Sequence, residues 1–158
     1  MTDIQATSSR IPWPPIIYLV AIVAGTALHQ AFPLPWLYGP FADVLFAAGG
    51  LAILAAIALY VSAVGAMRRA ATPIRPGSTP LHLVTTGAFG LSRNPIYLAN
   101  TLVMIGIGLL TGSLWFFLFA LLAAFATQKL AIDPEEHQLQ IRFGKKYRDY
   151  AKRVRRWI

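Results

Sequence analysis

Long apolar runs separated by short polar segments dominate this chain. The runs 15–32 and 44–67 contain no Asp, Glu, Lys or Arg, and each is long enough to cross a membrane. A third uncharged run, 96–127, is too long for one crossing at ~1.5 Å per residue, and Thr111-Gly112-Ser113 is its natural break. The pattern predicts an all-α polytopic membrane protein, a single membrane domain over 1–158 with four spans at about 15–32, 44–67, 95–111 and 113–130.

The polar segment after the fourth span predicts one further helix, a cytoplasmic segment at about 133–158. Asp133 is a candidate N-cap, Pro134 fits the first helical position, and Glu136 stands where a capping box needs it. Gly144 is a candidate break. Apolar residues recur every three or four positions with basic residues on the other faces, which is typical of an amphipathic interfacial helix. The stripe comprises Leu139, Phe143, Tyr147, Tyr150, Val154 and Trp157.

The positive charges are concentrated at one side of the predicted membrane. Of the 14 Lys and Arg residues, only Arg10 precedes Arg68, and nine lie from Lys129 onward. The turns at 33–43 and 111–113 contain no Lys or Arg, so the positive-inside rule places the 68–94 loop, the tail and both termini in the cytoplasm. We therefore expect an integral protein of the bacterial inner membrane whose basic surface meets membrane lipids rather than nucleic acid. The oligomeric state stays open.

Composition excludes several kinds of site. The chain has no cysteine, which removes thiol nucleophiles, Cys metal ligands and disulfides. His29 has no second ligand at metal spacing, so we predict no metal site and place this histidine at the far membrane interface.

Individual residues predict how the helices begin and pack. Asn94 followed by Pro95 indicates a helix start with Asn94 as the side-chain cap, and Asp43 is the equivalent candidate for the second span. Tyr18 is expected at the membrane interface together with Trp13. Small residues in the second span permit close helix packing. These are Ala48, Gly49, Ala52 and Ala56.

Polar residues at the cytoplasmic edge of the third and fourth spans are the candidates for chemistry. Tyr97, Asn100, Thr101 and Met104 share one face of the third span, and Arg93 lies one turn earlier. Glu135 and Glu136 follow the fourth span at the same edge. From the residues alone, two interpretations are about equal: a ligand site, or ordinary interhelical hydrogen bonding with Arg93 on a lipid phosphate.

The motifs of the second half carry a resemblance. Arg93-Asn94-Pro95-Ile96-Tyr97, then Glu135-Glu136-His137-Gln138-Leu139, then Phe143-Gly144 with Tyr147 and Tyr150 stand in one order across two spans. This order resembles the isoprenylcysteine carboxyl methyltransferase and phospholipid methyltransferase superfamily, over about residues 73–158. The family's usual His is Asn94 here, and Ala88-Phe89 replace its Pro-Tyr. The chain before residue 73 matches only as hydrophobic spans.

The resemblance implies S-adenosylmethionine as cofactor and a lipophilic small molecule or lipid as methyl acceptor. A prenylated cysteine carboxylate, a phospholipid amine and a small thiol or acid all remain open as acceptors. The residues that it implies for catalysis are Arg93, Glu135 and Glu136. The residues that it implies for cofactor binding are Thr86, Gly87, Ala88, Arg93, Asn94, Pro95, Tyr97, Asn100, Glu135, Glu136 and Tyr147.

Other functional classes fit the sequence less well. A small four-span transporter would need an ionisable group inside a span, and the four spans contain no carboxylate. A non-catalytic scaffold explains the basic tail but not the polar face of the third span or the glutamate pair. Membrane sterol reductases resemble the same C-terminal pattern but need a site for dinucleotide phosphates, for which the sequence offers only scattered arginines.

Overall fold

The computed structural model describes residues 12–74 and 81–158, and within these ranges the chain is helical with no β-strand. The predicted all-α class is confirmed. Arg10 and residues 75–80 of the 68–94 loop lie outside the described residues. The helices are α1 (Trp13–Ala31), α2 (Pro40–Arg69), α3 (Pro95–Thr111), α4 (Leu114–Thr127), α5 (Asp133–Phe143) and α6 (Lys145–Arg153).

Three helical stretches are long and apolar enough to cross a membrane. They are Trp13–Ala31, Pro40–Arg69 and Leu114–Phe143, and the shorter apolar α3 has 17 residues, at the lower limit for a span. Large apolar side chains on α1, α2 and α4 point away from the other helices, such as Leu19, Val61 and Leu121. A surface of this kind suits a lipid environment.

The helices pack in two close pairs, α2 on α3 and α1 on α4, with α3 also against α4. Gly49 of α2 faces Gly106 of α3, so the two backbones approach closely, as small residues allow in membrane helices. The central apolar cluster joins α1, α3 and α4. Its buried members are Tyr18, Ala21, Met104, Phe116, Ala120 and Ala123.

Tyr18 lies inside this bundle and not at the membrane interface, so that prediction was wrong. Its hydroxyl is 2.7 Å from the Thr101 Oγ1 and donates to the Tyr97 carbonyl oxygen at 3.3 Å. A tyrosine can be buried when its hydroxyl finds a partner, and the polar face of α3 supplies two. The polar face of α3 therefore takes part in interhelical hydrogen bonding, which is one of the two interpretations that the sequence left open.

The break between the third and fourth spans falls where the sequence predicts it. α3 ends at Thr111, and Gly112 adopts φ 64°, the left-handed conformation that favours glycine at a helix C-terminus. A Cβ at Gly112 would lie 2.8 Å from the Trp36 ring, so the close contact also requires glycine.

The predicted side-chain caps are absent. Asn94 stands at the N-cap position of α3, but its side chain makes no capping bond. α2 begins at Pro40 with Gly39 at its N-cap, so Asp43 lies inside the first turn, exposed, and not at the cap. Both predictions identified a helix start correctly to within a few residues and assigned the wrong interaction to the polar side chain.

The fourth span does not end before Asp133. Leu114–Phe143 is one continuous helix, in which a π-helical segment, Gln128–Ile132, joins α4 to α5. Asp133 has helical backbone angles and no side-chain cap bond is formed, so the predicted capping box with Glu136 was wrong. Pro134 lacks an N–H and crowds the carbonyl four residues earlier. A wider turn directly before the proline accommodates it, as in other membrane helices.

The predicted break at Gly144 is confirmed. This residue adopts φ 52° between α5 and α6, and the Cβ of a larger residue would be strained there. α6 ends at Arg153, and residues 154–158, here called the C-terminal segment, leave the helix with Val154 in an extended conformation.

Candidate functional site

The turn that leads into α3 is fixed to α2 by its backbone. A short 3₁₀ helix, Gly87–Gly90, begins with Gly87 at φ 63°. The Ala88 N–H donates to the Ser62 Oγ of α2 at 3.0 Å. A Cβ at Gly87 would lie 3.0 Å from the same oxygen, so glycine allows both the backbone angle and the approach.

The C-terminal segment packs against the start of α3. The Arg93 N–H donates to the Arg155 carbonyl at 2.9 Å. The Arg156 carbonyl accepts two bonds, from the Ser92 Oγ at 3.1 Å and from the Asn94 Nδ2 at 3.2 Å. The Asn94 side chain therefore holds the C-terminal segment instead of capping its own helix. Trp157 anchors the segment further, since its indole N–H donates to the Gln128 Oε1 at 3.0 Å.

Charged groups of the turn before α3, of α5 and of the C-terminal segment meet at one place. Arg156 donates to both oxygens of Glu136, at 2.7 and 3.2 Å, and its Nη1 lies 3.0 Å from an Asp133 oxygen. The Arg93 Nη1 lies 3.2 Å from Glu136 and 3.2 Å from the Tyr147 hydroxyl. Charge-assisted bonds to a carboxylate of this kind are the stronger class of hydrogen bond.

Tyrosine hydroxyls complete the polar contacts. Tyr97 donates to the Glu135 Oε1 at 2.8 Å, and Tyr150 donates to the Phe89 carbonyl at 2.7 Å. Burial raises the pKa of the Tyr147 and Tyr150 hydroxyls. The negative charge of Glu136 adds to the rise at Tyr147, while Arg93 opposes it. Both hydroxyls therefore stay protonated and neutral at physiological pH.

A cavity of about 160 Å³ opens beside this cluster. Its walls come from the end of α2, the segments before α3, the first turn of α3, and the inner faces of α5 and α6. The C-terminal end of α2 and the N-terminal end of α3 both border it. The turn into α3 and the acidic part of α5 thus lie against each other, with a cavity between them. The predicted site residues in its lining are Arg93, Asn94, Pro95, Tyr97, Glu135, Glu136 and Tyr147.

Four residues of the predicted site do not line the cavity. Thr86 and Gly87 are exposed, and Ala88 is buried against α2, where its N–H bonds Ser62. Asn100 lies half-buried one turn deeper along α3. The 3₁₀ helix still contributes to the cavity, because Phe89, the residue after Ala88, lines it.

The structure adds residues that the sequence interpretation left out. Tyr150, Met67, Thr72 and His82 line the cavity, and Arg156 holds Glu136 beside it. Tyr150 belonged to the apolar stripe of the tail, which was a usable signal. The others carry no local motif, and the backbone of His82 is positioned by the Thr72 hydroxyl, at 3.2 and 3.3 Å.

The cavity offers groups that suit a zwitterionic ligand. The Arg93 Nε is buried and has no hydrogen-bond partner, although its side chain lines the cavity. The first turn of α3 receives no side-chain cap, so its N–H groups remain donors for an anion. Glu135 and Glu136 supply negative charge on the α5 wall. The amino acid part of S-adenosylmethionine carries one carboxylate and one ammonium, so the donor set fits this group.

Comparison with known proteins identifies the family. The family model "Phospholipid methyltransferase" matches residues 44–146, well over half of the chain. The chain belongs to the phospholipid methyltransferase family. The match begins in α2 and stops just before Tyr147, so it leaves out α1, the cavity-lining Tyr147 and Tyr150 of α6, and the C-terminal segment.

A curated relative matches a shorter stretch. The nickel-cobalt-cadmium resistance protein NccN of Alcaligenes xylosoxydans xylosoxydans is 37% identical over 79 residues, which is 49% of this chain and 36% of that protein. This chain therefore matches only about a third of that relative's length. No solved structure matches the chain.

Proposed function

We propose that this chain, as a single membrane domain, transfers a methyl group from S-adenosylmethionine to a lipophilic acceptor at the membrane edge. Family membership supports the reaction class. The observation that carries the proposal is the cavity at which Arg93, the uncapped start of α3 and the two glutamates come together at the end of the apolar helices.

Separate residues hold the two ends of the cofactor's amino acid part. Arg93 and the first-turn N–H groups of α3 bind the carboxylate. We assign Glu135, which lines the cavity and accepts a hydrogen bond from Tyr97, to the ammonium group, because Glu136 already bonds two guanidinium groups. The cofactor, when bound, supplies an electrophilic methyl group on a positively charged sulfur.

The protein's contribution to such a reaction is positioning and exclusion of water. Tyr147 and Tyr150 are buried on the inner face of α6 and close the cavity on that side. Met67, Leu83 and Leu139 make much of the remaining wall apolar, which suits an acceptor that enters from lipid. The membrane-edge position then brings a water-soluble cofactor and a lipophilic acceptor to one place.

The acceptor that we propose first is a carboxylate of the isoprenylcysteine type, which needs no proton removed. A phospholipid amine or a thiol is the second candidate, and one observation favours it. His82 lines the cavity, and an imidazole there is a proton acceptor for a nucleophile that must be deprotonated.

Two experiments test the proposal. Purified protein in detergent is titrated with S-adenosylhomocysteine, and Glu135→Gln is compared with Asp149→Asn, an exposed acid outside the cavity. Loss of a bond to a charged group is worth about 1.5–3 kcal/mol, so we expect at least about tenfold weaker binding for Glu135→Gln and no change for the control. Absence of binding to the wild type at millimolar ligand would reject the proposal.

The second experiment identifies the acceptor. The protein is incubated with methyl-labelled S-adenosylmethionine and total membrane lipids, and the labelled product is treated with base. A methyl ester releases its label as methanol, whereas a methylated amine or thioether retains it. Base-labile product supports the carboxylate acceptor, and base-stable product supports the amine or thiol.

A further inference from the structure

Two arginines approach the same carboxylate in different ways. Arg156 binds Glu136 at two points, through Nε to Oε1 at 3.2 Å and through Nη2 to Oε2 at 2.7 Å. Arg93 reaches the same carboxylate only through Nη1, at 3.2 Å, and shares that nitrogen with the Tyr147 hydroxyl. The two-point geometry is the preferred arrangement of an arginine on a carboxylate.

The weaker engagement of Arg93 leaves part of its guanidinium unused. Its Nε is buried without a hydrogen-bond partner in a side chain that lines the cavity, so protein groups do not saturate this guanidinium. Glu136 is only 13% exposed, so most of the compensation for its charge comes from the two arginines. If Arg156 were absent, Glu136 would therefore draw Arg93 into a closer pair and away from the cavity.

Arg156 is held in place by more than its ion pairs. Its own carbonyl accepts bonds from Ser92 and Asn94, on either side of Arg93, and the neighbouring Trp157 is bonded to Gln128. The guanidinium also reaches Asp133. Interaction with Glu136 raises the pKa of Arg156, so its charge is permanent at any physiological pH.

We propose that Arg156 is a positioning residue that occupies Glu136 and thereby keeps Arg93 available for the carboxylate of the ligand. The inference rests on the proposed function, because it concerns the same cavity and the same ligand chemistry. Its specific content is that Arg156 affects the part of the ligand that carries the carboxylate, and not the nucleoside part.

The test uses two probes that differ in that part alone. S-adenosylhomocysteine carries the amino acid group, and 5′-methylthioadenosine lacks it. Both are titrated into the full-length wild type, Arg156→Gln, Arg156→Lys, and the control Arg153→Gln, which removes an equal charge from an exposed position of α6. We expect Arg156→Gln to bind S-adenosylhomocysteine about tenfold or more weakly, with 5′-methylthioadenosine changed by less than about twofold.

Further variants separate this role from a general effect on folding. Arg156→Lys keeps the charge but makes one contact with Glu136 instead of two, so its loss of affinity for S-adenosylhomocysteine should be intermediate. In Glu136→Gln/Arg156→Gln no charged group competes for Arg93, so this double variant should bind S-adenosylhomocysteine more tightly than Arg156→Gln alone. If Arg156→Gln does not fold, the intermediate and probe-selective loss in Arg156→Lys carries the same test.

The outcomes distinguish the two proposals. Equal loss of both probes, or no loss of either, in the Arg156 variants overturns this inference and leaves the proposed function standing. Failure of the wild type to bind S-adenosylhomocysteine overturns the proposed function, and this inference with it.

Discussion

The close contact between α2 and α3 can be tested with two adjacent glycines. A Cβ at Gly49 would lie 2.9 Å from the Leu109 Cβ and 3.0 Å from the Gly106 carbonyl, and neither atom is the mobile end of a side chain. A Cβ at Gly50 would meet nothing within 4 Å. Both residues lie inside α2, so the gain in helix propensity from alanine, about 1 kcal/mol, is common to Gly49→Ala and Gly50→Ala and cancels in the comparison.

The difference between the two variants therefore reports the packing alone. Extra methyl groups in a tightly packed interface cost about 1–3 kcal/mol, and we expect Gly49→Ala to be less stable than Gly50→Ala by that amount. The measurement is the free energy of unfolding in mixed micelles of a mild detergent and dodecyl sulfate, followed by tryptophan fluorescence. Equal stability of the two variants, to within about 0.5 kcal/mol, would contradict the close backbone approach.

Two further predictions concern buried tyrosine hydroxyls. Tyr150→Phe removes the bond to the Phe89 carbonyl, so we expect about 1 kcal/mol of lost stability near neutral pH. The raised pKa of Tyr150 means that its stabilising contribution is complete below the unfolded value of 10.0 and is lost as the pH rises through the higher folded value. The free energy of unfolding, measured from pH 8 to 11, should therefore decrease less steeply with pH in Tyr150→Phe than in the wild type. An identical slope in the two proteins would contradict the raised pKa of Tyr150. Tyr18→Phe removes the hydroxyl from between α1 and α3, but Thr101 keeps its own bond to the Tyr97 carbonyl. The same micelle assay should therefore show a free energy of unfolding lowered by only about 0.5–1 kcal/mol. A loss above about 3 kcal/mol would mean that Thr101 does not retain that bond.

The positions of the helices could be predicted from the sequence because hydrophobic length and the absence of charge determine which segments can span a membrane. The break at Gly112 and the division at Gly144 follow from the conformational freedom of glycine, which is a local property. The end of α4 was not predictable in the same way. Pro134 after Asp133 has the pattern of a helix start, and only the π-helical segment before it shows that the helix continues.

The candidate site shows the same division between local and distant information. Arg93, Tyr97, Glu135 and Glu136 were identified because they are polar residues at the ends of apolar spans. Asn94 was given the wrong partner, since its amide bonds a carbonyl 62 residues away in sequence. The contribution of Arg156 also depends on the C-terminal segment packing against the turn before α3, a contact that no motif or periodicity in the sequence indicates.

The two helix ends that border the cavity have opposite polarity. The N-terminus of α3 carries a partial positive charge, and the C-terminus of α2 carries a partial negative one. The backbone alone thus favours one orientation of a ligand with one anionic and one cationic group. This contribution persists when any single side chain is replaced, because it does not depend on side chains.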